Sequence, residues 1–257
     1  MDLKCQLIAL YTVARKEVIR IMRIWIQTLM PPVITMTLYF IIFGNLIGRR
    51  IGEMSGFDYM EFMAPGLIIM SVITNSYGNV VSSFFAAKFQ GHLQEMLVAP
   101  MRSYVIILGH VAGGVMRGLA VGAVVTVVAL FFTDLQVQHP FIAISILILT
   151  AIVFSLGGMI NAIFARKFDD VAIIPAFVLA PLTYLGGVFY TTALLPDFWA
   201  NVSAFNPILY MVNGFRYGML GVSDINITTA YIIILVFVVL AFGTCSYLIS
   251  RGIGIRE

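Results

Sequence analysis

The chain has 257 residues, of which 61% are hydrophobic and only 11% are charged, whereas a soluble domain carries about 25% charged residues. This small number of charged side chains cannot cover the surface of a water-soluble globule of this length. A soluble fold is therefore excluded, and the chain must be surrounded by lipid. The formal net charge of +3 is not gathered into a basic stripe with interleaved aromatic residues, which excludes nucleic-acid binding.

Residues 1–23 predict an amphipathic helix. Apolar residues recur at three- or four-residue spacing, and the charged residues fall on the other side of the helix. A helix of this kind lies in the headgroup plane of a bilayer, and we expect the chain to turn inward at Trp25. The apolar positions are Leu3, Leu7, Leu10, Ala14, Val18 and Ile21, and the charged ones are Lys16, Glu17, Arg20 and Arg23.

Six later stretches are long enough and apolar enough to cross a bilayer as helices, which need about 20 such residues. Helices satisfy their own backbone hydrogen bonds in lipid, and these runs lack the alternation of barrel strands. The predicted fold is an all-α membrane protein with one domain over residues 1–257. The six stretches are Ile24–Gly48, Phe62–Ala87, Ser103–Thr133, Leu135–Ala165, Val171–Pro196 and Ile225–Ser250.

The positions of Lys and Arg predict the orientation of the six spans. Most of the 15 Lys and Arg residues fall at the amino terminus, in the connections near Lys88, Arg102 and Arg166, and at the carboxyl terminus. Basic residues in short connections resist translocation. We therefore expect both termini on the cytoplasmic side.

The connection 88–102 predicts a short amphipathic helix that Pro100 ends. Phe89, Leu93, Met96 and Leu97 share one helical face. This face suits a groove on a cytoplasmic partner, whose motion it would transmit to the second and third spans. It equally suits packing beneath the chain's own bundle, because amphipathic spacing does not name what buries the face.

Arg117 is the charge that lies deep inside a predicted span. Such a residue faces the bundle interior or a wet cavity, and its candidate partners are Asn75, Asn79 and Asn161. One interpretation is a clasp between helices, and the other is contact with an anionic headgroup or acidic substrate. Glycines at four-residue intervals, including Gly114, Gly118 and Gly122, give the same span a face for close helix packing.

Residues 194–221 predict short, broken helices that dip into the membrane before the last span. Pro207 and several asparagines would leave unpaired polar groups in lipid if this segment crossed as one helix. An ordinary external loop is the alternative.

The sequence holds no motif for its own catalysis. It lacks a phosphate-binding GxxxxGK[ST], an HExxH and a GxSxG pattern. The histidines are scattered without metal-ligand spacing. We expect no catalytic residues, no metal site and no cofactor bound by this chain.

In three groups of residues the chain resembles the permeases of the ABC-2 type, which are the membrane subunits of ATP-driven exporters. The first is Met63-Ala64-Pro65-Gly66, and the second is Glu95-Met96-Leu97-Val98-Ala99-Pro100 followed by Gly109. The most specific is the segment from Pro207 to Arg216, which matches the family's pattern of Pro, an aliphatic residue, Tyr210 and a later Arg. The resemblance covers nearly the whole chain.

The resemblance implies a permease that exports a lipid-like, amphipathic or drug-like molecule through a bacterial inner membrane. It further implies a homodimer with two copies of a separate cytoplasmic ATPase that binds ATP and Mg²⁺. A transporter or channel that needs no ATPase is the alternative, although the intramembrane acids typical of ion coupling are absent. A membrane-embedded transferase would need clustered acids, and Asp169-Asp170 is the nearest approach.

The resemblance also assigns residues to roles. The 88–102 segment would be the coupling helix, and the outer broken helices would form a gate. Coupling to the ATPase would involve Lys88, Phe89, His92, Leu93, Glu95, Met96, Leu97 and Pro100. The substrate pathway or gate would involve Asn75, Asn79, Arg117, Phe189, Tyr190, Phe198, Phe205 and Tyr210, and the family motif supplies Pro207, Tyr210 and Arg216.

Overall fold

The computed structural model describes residues 3–99 and 101–255, and these are helical apart from one short β-hairpin and the connections. The helices of the first half are α1 (Leu3–Arg23), α2 (Trp25–Tyr39), α3 (Arg49–Ile51), α4 (Tyr59–Phe89), α5 (His92–Val98) and α6 (Ser103–Leu130). Those of the second half are α7 (Pro140–Phe164), α8 (Phe168–Ile174), α9 (Ala180–Tyr184), α10 (Asp197–Ala204), α11 (Pro207–Leu220) and α12 (Ile227–Arg251). The backbone is π-helical at Phe40–Gly48 and Pro175–Leu179, and a 3₁₀ turn spans Thr192–Leu194.

Five helices in the described part of the chain are long and apolar enough to cross a bilayer. They are Trp25–Gly44, α4, α6, α7 and α12, and each overlaps one of the predicted spans. The all-helical membrane class is therefore confirmed.

The remaining predicted span, Val171–Pro196, is not among these five helices. The chain is helical from α8 through Pro175–Leu179 to α9, in pieces of seven, five and five residues. The helix then ends at Tyr184, and Gly187 adopts a φ of 71° that a helix cannot contain. The helical run is thus shorter than the apolar stretch in the sequence.

The core of the bundle is α4, which packs between α6 and α7 with most of its side chains buried. Glycines allow the helices to approach closely, as the four-residue spacing on α6 predicts. A Cβ at Gly122 would lie 2.8 Å from Val72 of α4, and one at Gly158 of α7 would lie 2.5 Å from the carbonyl oxygen of Tyr77. These contacts fix the heights of the three helices relative to one another.

Helix α1 forms where the sequence predicts it, but its packing differs from the expectation. Its buried side chains are Gln6, Val13, Glu17 and Ile21, whereas Leu3 and Leu7 of the predicted apolar face stay exposed. The helix runs along α6 in the same direction and continues into α2 with only Ile24 between them. The sharp turn expected at Trp25 is absent, because α6 offers α1 a glycine-lined surface to follow.

The two ends of the bundle carry different small elements. At the α5 end, α5 connects α4 to α6. At the α11 end lie α10, α11 and a hairpin that pairs Glu53–Met54 with Phe57–Asp58 through a Ser55-Gly56 turn. Both turn residues have positive φ, as a two-residue hairpin turn of this type requires.

Helices α10 and α11 are separate, as the sequence predicts for residues 194–221. Helix α10 ends at Ala204, and Asn206 starts α11 by accepting a hydrogen bond from the backbone N–H of Ile208 at 3.0 Å. Pro207 occupies the first position of α11, where the missing N–H costs nothing. The break between the helices is thus encoded by an Asn-Pro pair.

Candidate functional site

The connection between α4 and α6 lies at the α5 end, and its apolar face is turned toward the chain's own bundle. Leu93 is fully buried, and Met96 and Leu97 pack partly buried against the core. Phe89 and Val98 remain exposed, at 65% and 87%. Of the two readings that the sequence left open, the structure favours packing beneath the bundle for Leu93, Met96 and Leu97.

The polar residues of this connection face outward or secure neighbouring helices. Lys88 donates hydrogen bonds from Nζ to the carbonyl oxygens of Ile163 and Ala165, at 2.6 and 2.8 Å, and so caps the end of α7. His92 and Glu95 lie on the exposed side of α5, with 3.8 Å between Nδ1 and Oε2. Pro100 lies outside the described residues. The surface available to a partner is therefore formed by the outward face of α5 and not by its apolar face.

A cavity of about 890 Å³ opens beside α5. Its walls are the end of α4, α5, the end of α7 with the residues after it, and the residues after α12, including Phe89, Gln94, Arg166 and Gly254. Nearby, the backbone N–H groups of Arg166 and Lys167 donate to Asp170 and hold the pKa of its carboxyl below the usual value. The Asp170 carboxylate therefore already accepts hydrogen bonds within its own turn. The described residues include no group of acids, cysteines and histidines able to hold a metal.

A buried polar network joins α1 to α4 and α6. The Glu17 carboxylate is 1% exposed and accepts hydrogen bonds from Ser83 Oγ at 2.6 Å and from Arg20 Nη2 at 2.9 Å. Arg20 also donates to Asn79 Oδ1 at 2.8 Å. Burial raises the pKa of Glu17, but His110, Arg20 and the Ser83 hydroxyl outweigh burial and leave it below its ordinary value. Glu17 is thus a buried carboxylate stabilised in its charged form.

Glycines of α6 make room for this network. A Cβ at Gly113 would lie 2.6 Å from Cβ of Glu17, and one at Gly109 would lie 2.5 Å from Val13. Gln6 accepts a hydrogen bond from the backbone N–H of Arg102 at 3.2 Å. The side-by-side alignment of α1 and α6 therefore extends to the start of α6. Helical spacing predicted Glu17 on the charged, lipid-headgroup side of α1, and this prediction is wrong because Glu17 is buried against α6.

Arg117 lies near the midpoint of α6, and the three asparagines named as its candidate clasp partners bond to other groups. The amide of Asn75 donates to the carbonyl of Ser71, that of Asn161 donates to the carbonyl of Val171, and Asn79 accepts from Arg20. Within the described chain, Nε of Arg117 is buried and has no hydrogen-bond partner. The structure therefore brings Arg117 beside the Arg20–Asn79 pair without pairing it.

The predicted gate residues lie at the α11 end but do not form one cluster. Phe189 packs against Tyr39, Phe43 and Tyr184, with ring centroids 5.1–6.1 Å apart. Phe198 and Phe205 are exposed at 67% and 88%. The hydroxyls of the two predicted tyrosines lie in different settings: Tyr210 donates to Ala204 at 2.8 Å, whereas the Tyr190 hydroxyl is buried.

Two sequence motifs far apart in the chain meet at the turn after α9. Arg216 is 1% exposed, and its Nη2 donates to the carbonyl oxygen of Gly187 at 2.7 Å. Its Nε donates to the carbonyl of Phe62 at 3.4 Å, and the guanidinium lies 3.8 Å above the Phe62 ring. Gly66 completes this contact, which we call the Arg216 clasp, because a Cβ there would come within 2.8 Å of the Val188 carbonyl oxygen. Arg216 therefore has a structural role within one chain.

Comparison with known proteins gives one family and two groups of named relatives. The family model described as ABC-2 type transporter matches residues 8–220. The inner membrane transport permease YadH of Escherichia coli (strain K12) is 58% identical over 251 residues, which cover 97% of this chain and 98% of that protein. Nodulation protein J of Rhizobium leguminosarum bv. trifolii is 23% identical over 209 residues, or 81% of this chain and 80% of that protein.

Proposed function

The chain belongs to the ABC-2 type transporter family, and from this we propose that it is the membrane-spanning permease subunit of an inner-membrane ATP-driven exporter. A separate cytoplasmic ATPase would supply the energy, since this chain carries no phosphate-binding motif. The cargo would be a lipid-like, amphipathic or drug-like molecule. Both termini, and with them the α5 end, would face the cytoplasm.

The observation that supports an external motor is the exposed face of α5. His92, Glu95 and Val98 point away from the bundle, while Leu93 anchors the same helix in the core. A short helix with one face anchored and the other free transmits a push, because it cannot move without moving the helices that hold it. The adjacent cavity and the capping of α7 by Lys88 extend this link to a second span.

We further propose a homodimer of permeases with two ATPase subunits and six bilayer crossings per chain. The helical run from α8 to α9 supports this assembly, because α8 has no buried side chain and Phe177 is 75% exposed. A segment so little packed within its own chain is suited to a seam between two copies. The six crossings would include this run, which is about 26 Å long at 1.5 Å per residue and approaches the bilayer core of about 30 Å.

The test uses the complex of this chain with the ATPase subunit that we propose for it, purified in lipid nanodiscs. Val98→Asp places a charge on the exposed face of α5 without disturbing Leu93. Phe141→Asp is the matched control, since Phe141 is equally exposed but lies at the α11 end. We expect Val98→Asp to lower ATP hydrolysis or ATPase retention about tenfold, and Phe141→Asp to leave both unchanged. The mass of the complex reports the copy numbers.

Equal behaviour of the two variants would contradict coupling through α5. Solute flux by the isolated chain in proteoliposomes would instead establish the alternative of a transporter or channel that needs no ATPase.

A further inference from the structure

A niche between α1, α4 and α6 holds more hydrogen-bond donors than the described residues can satisfy. Nδ2 of Asn79 and Oγ of Ser76 are buried without a partner, as is Nε of Arg117. Asn79 and Ser76 are three residues apart and so share one face of α4. Because an unpaired buried polar group costs about 1–3 kcal/mol, such a concentration of them points to an absent acceptor.

The contacts of the niche place these groups near one another. A Cβ at Gly113 would lie 3.3 Å from Nδ2 of Asn79, and one at Gly118 would meet the Ser76 hydroxyl. Arg117 stands between these two glycines on α6, one helical turn beyond Gly113. Helix α1 closes the opposite side through Arg20, which is bonded to the other end of the Asn79 amide.

The charges in the niche do not balance. Glu17 is the carboxylate at this place, and it is bonded to Arg20 and Ser83. Arg117 lies one helical turn from Gly113, which contacts both Glu17 and Asn79, so it adds a second positive charge near Arg20. One positive charge is left over among the described residues of the niche, and an anion would neutralise it.

We infer that Arg117, Asn79 and Ser76 form a binding site for the phosphate-class anion of an amphiphile's headgroup. A guanidinium suits such an anion because its N–H groups match two oxygens at once. Water alone could satisfy the hydroxyl and the amide, but it could not compensate the charge. Arg117 is partly exposed, whereas Asn79 and Ser76 are fully buried, so a ligand reaches the guanidinium first and meets the amide and the hydroxyl only as the helices separate.

The height of the niche indicates which amphiphile it serves. Arg117 lies near the middle of a membrane-spanning helix, whereas the headgroup of a resident lipid stays at the bilayer surface. An anionic headgroup at this height belongs to a molecule in transit. The inference therefore deepens the proposed function, on which it rests, by naming anionic amphiphiles as the substrate class.

The experiment measures binding by the full chain alone, so that its outcome is independent of any ATPase. The purified protein in a neutral maltoside detergent is titrated with dodecyl phosphate, and binding is followed by the shift in its thermal unfolding midpoint. We expect a saturable rise for the unaltered chain and at least a tenfold weaker apparent affinity for Arg117→Gln. Arg117→Lys keeps the charge but loses the planar fork, and it should fall between the two.

The control is Arg15→Gln, which removes the same charge from an exposed position of α1. It should bind dodecyl phosphate as the unaltered chain does. Inorganic phosphate forms a second arm: an Arg117-dependent shift with phosphate alone would overturn the headgroup assignment and leave a free-anion site. Equal affinity in the unaltered chain, Arg117→Gln and Arg117→Lys would overturn the site itself.

Discussion

Arg216 and Arg117 are both arginines in the helical bundle, and their surroundings differ. Arg216 lies fully buried over an aromatic ring, with backbone carbonyls from two other segments bonded to its guanidinium. Arg117 has a buried Nε without a partner and a second arginine beside it. At the α11 end the protein supplies acceptors for two nitrogens of the Arg216 guanidinium and leaves Nη1 unpaired, whereas the structure shows no acceptor for Arg117 among the described residues.

This difference separates a structural residue from one available to a ligand. Carbonyls that are already part of the fold fix Arg216 in one position, and its loss would release the turn after α9. Arg117 holds nothing together that the described residues reveal. A charge kept in the membrane without a structural partner is expensive, which is why we assign it to binding.

The largest expected effect on stability comes from Arg216→Ala, which tests whether Arg216 is a structural residue. The change removes both carbonyl contacts and the ring contact, and it leaves a cavity in the Arg216 clasp. We expect the free energy of unfolding to fall by about 3 kcal/mol. Thermal unfolding in detergent measures it, with Arg50→Ala as the exposed control. Equal midpoints for the two variants would show that the clasp does not stabilise the fold.

A smaller effect is expected for Glu17→Gln, which sharpens the comparison by removing the carboxylate next to the niche. Because the folded protein lowers the pKa of Glu17, its charged form stabilises the fold above the pKa of the unfolded chain. This contribution is lost as the pH falls through the folded pKa. We expect the free energy of unfolding of the unaltered chain to exceed that of Glu17→Gln by about 1–2 kcal/mol at pH 7. This difference should disappear in acid.

The same pH series with Ser83→Ala provides the check. Removing the hydroxyl weakens one hydrogen bond but keeps the charge, so its deficit at pH 7 should be smaller. A gap between the unaltered chain and Glu17→Gln that stays constant down to the pH where all carboxylates are protonated would contradict the lowered pKa.

The smallest effect on folding is expected for Arg117→Gln in the absence of ligand. The substitution removes a poorly solvated charge and breaks no hydrogen bond that the structure shows. We expect the free energy of unfolding to change by less than about 0.5 kcal/mol, or to rise slightly. Chemical unfolding in mixed micelles measures it. A loss comparable to that of Arg216→Ala would mean that Arg117 is a structural residue after all.

The sequence predicted the helices well because length and continuous apolarity decide whether a segment can cross lipid. It also predicted the close packing of α6, since glycines at Gly114, Gly118 and Gly122 repeat on one face. The break between α10 and α11 was readable from Asn206-Pro207. These features depend on local composition, and local composition is what a single sequence displays.

What the sequence could not predict is which neighbour covers a face. Amphipathic spacing left open whether a partner or the chain's own bundle covers the apolar face of α5, and in the structure the bundle buries Leu93. Glu17 was assigned to the headgroup side, because helical spacing cannot show that Gly109 and Gly113 of a distant helix form the surface that receives it. Glu17 and Arg20 are three residues apart on α1, and this i,i+3 charge pair was the sequence signal that could have indicated a buried position for Glu17.

The length of α4 has a mechanical consequence. This helix continues without interruption for 31 residues, from the hairpin at one end of the molecule to α5 at the other, a distance of about 46 Å at 1.5 Å per residue. A rod of this length overhangs the hydrocarbon layer and resists compression along its axis. If the α5 end faces the cytoplasm as proposed, an axial push on α5 reaches the Phe62 ring, on which the Arg216 guanidinium lies, through this one helix.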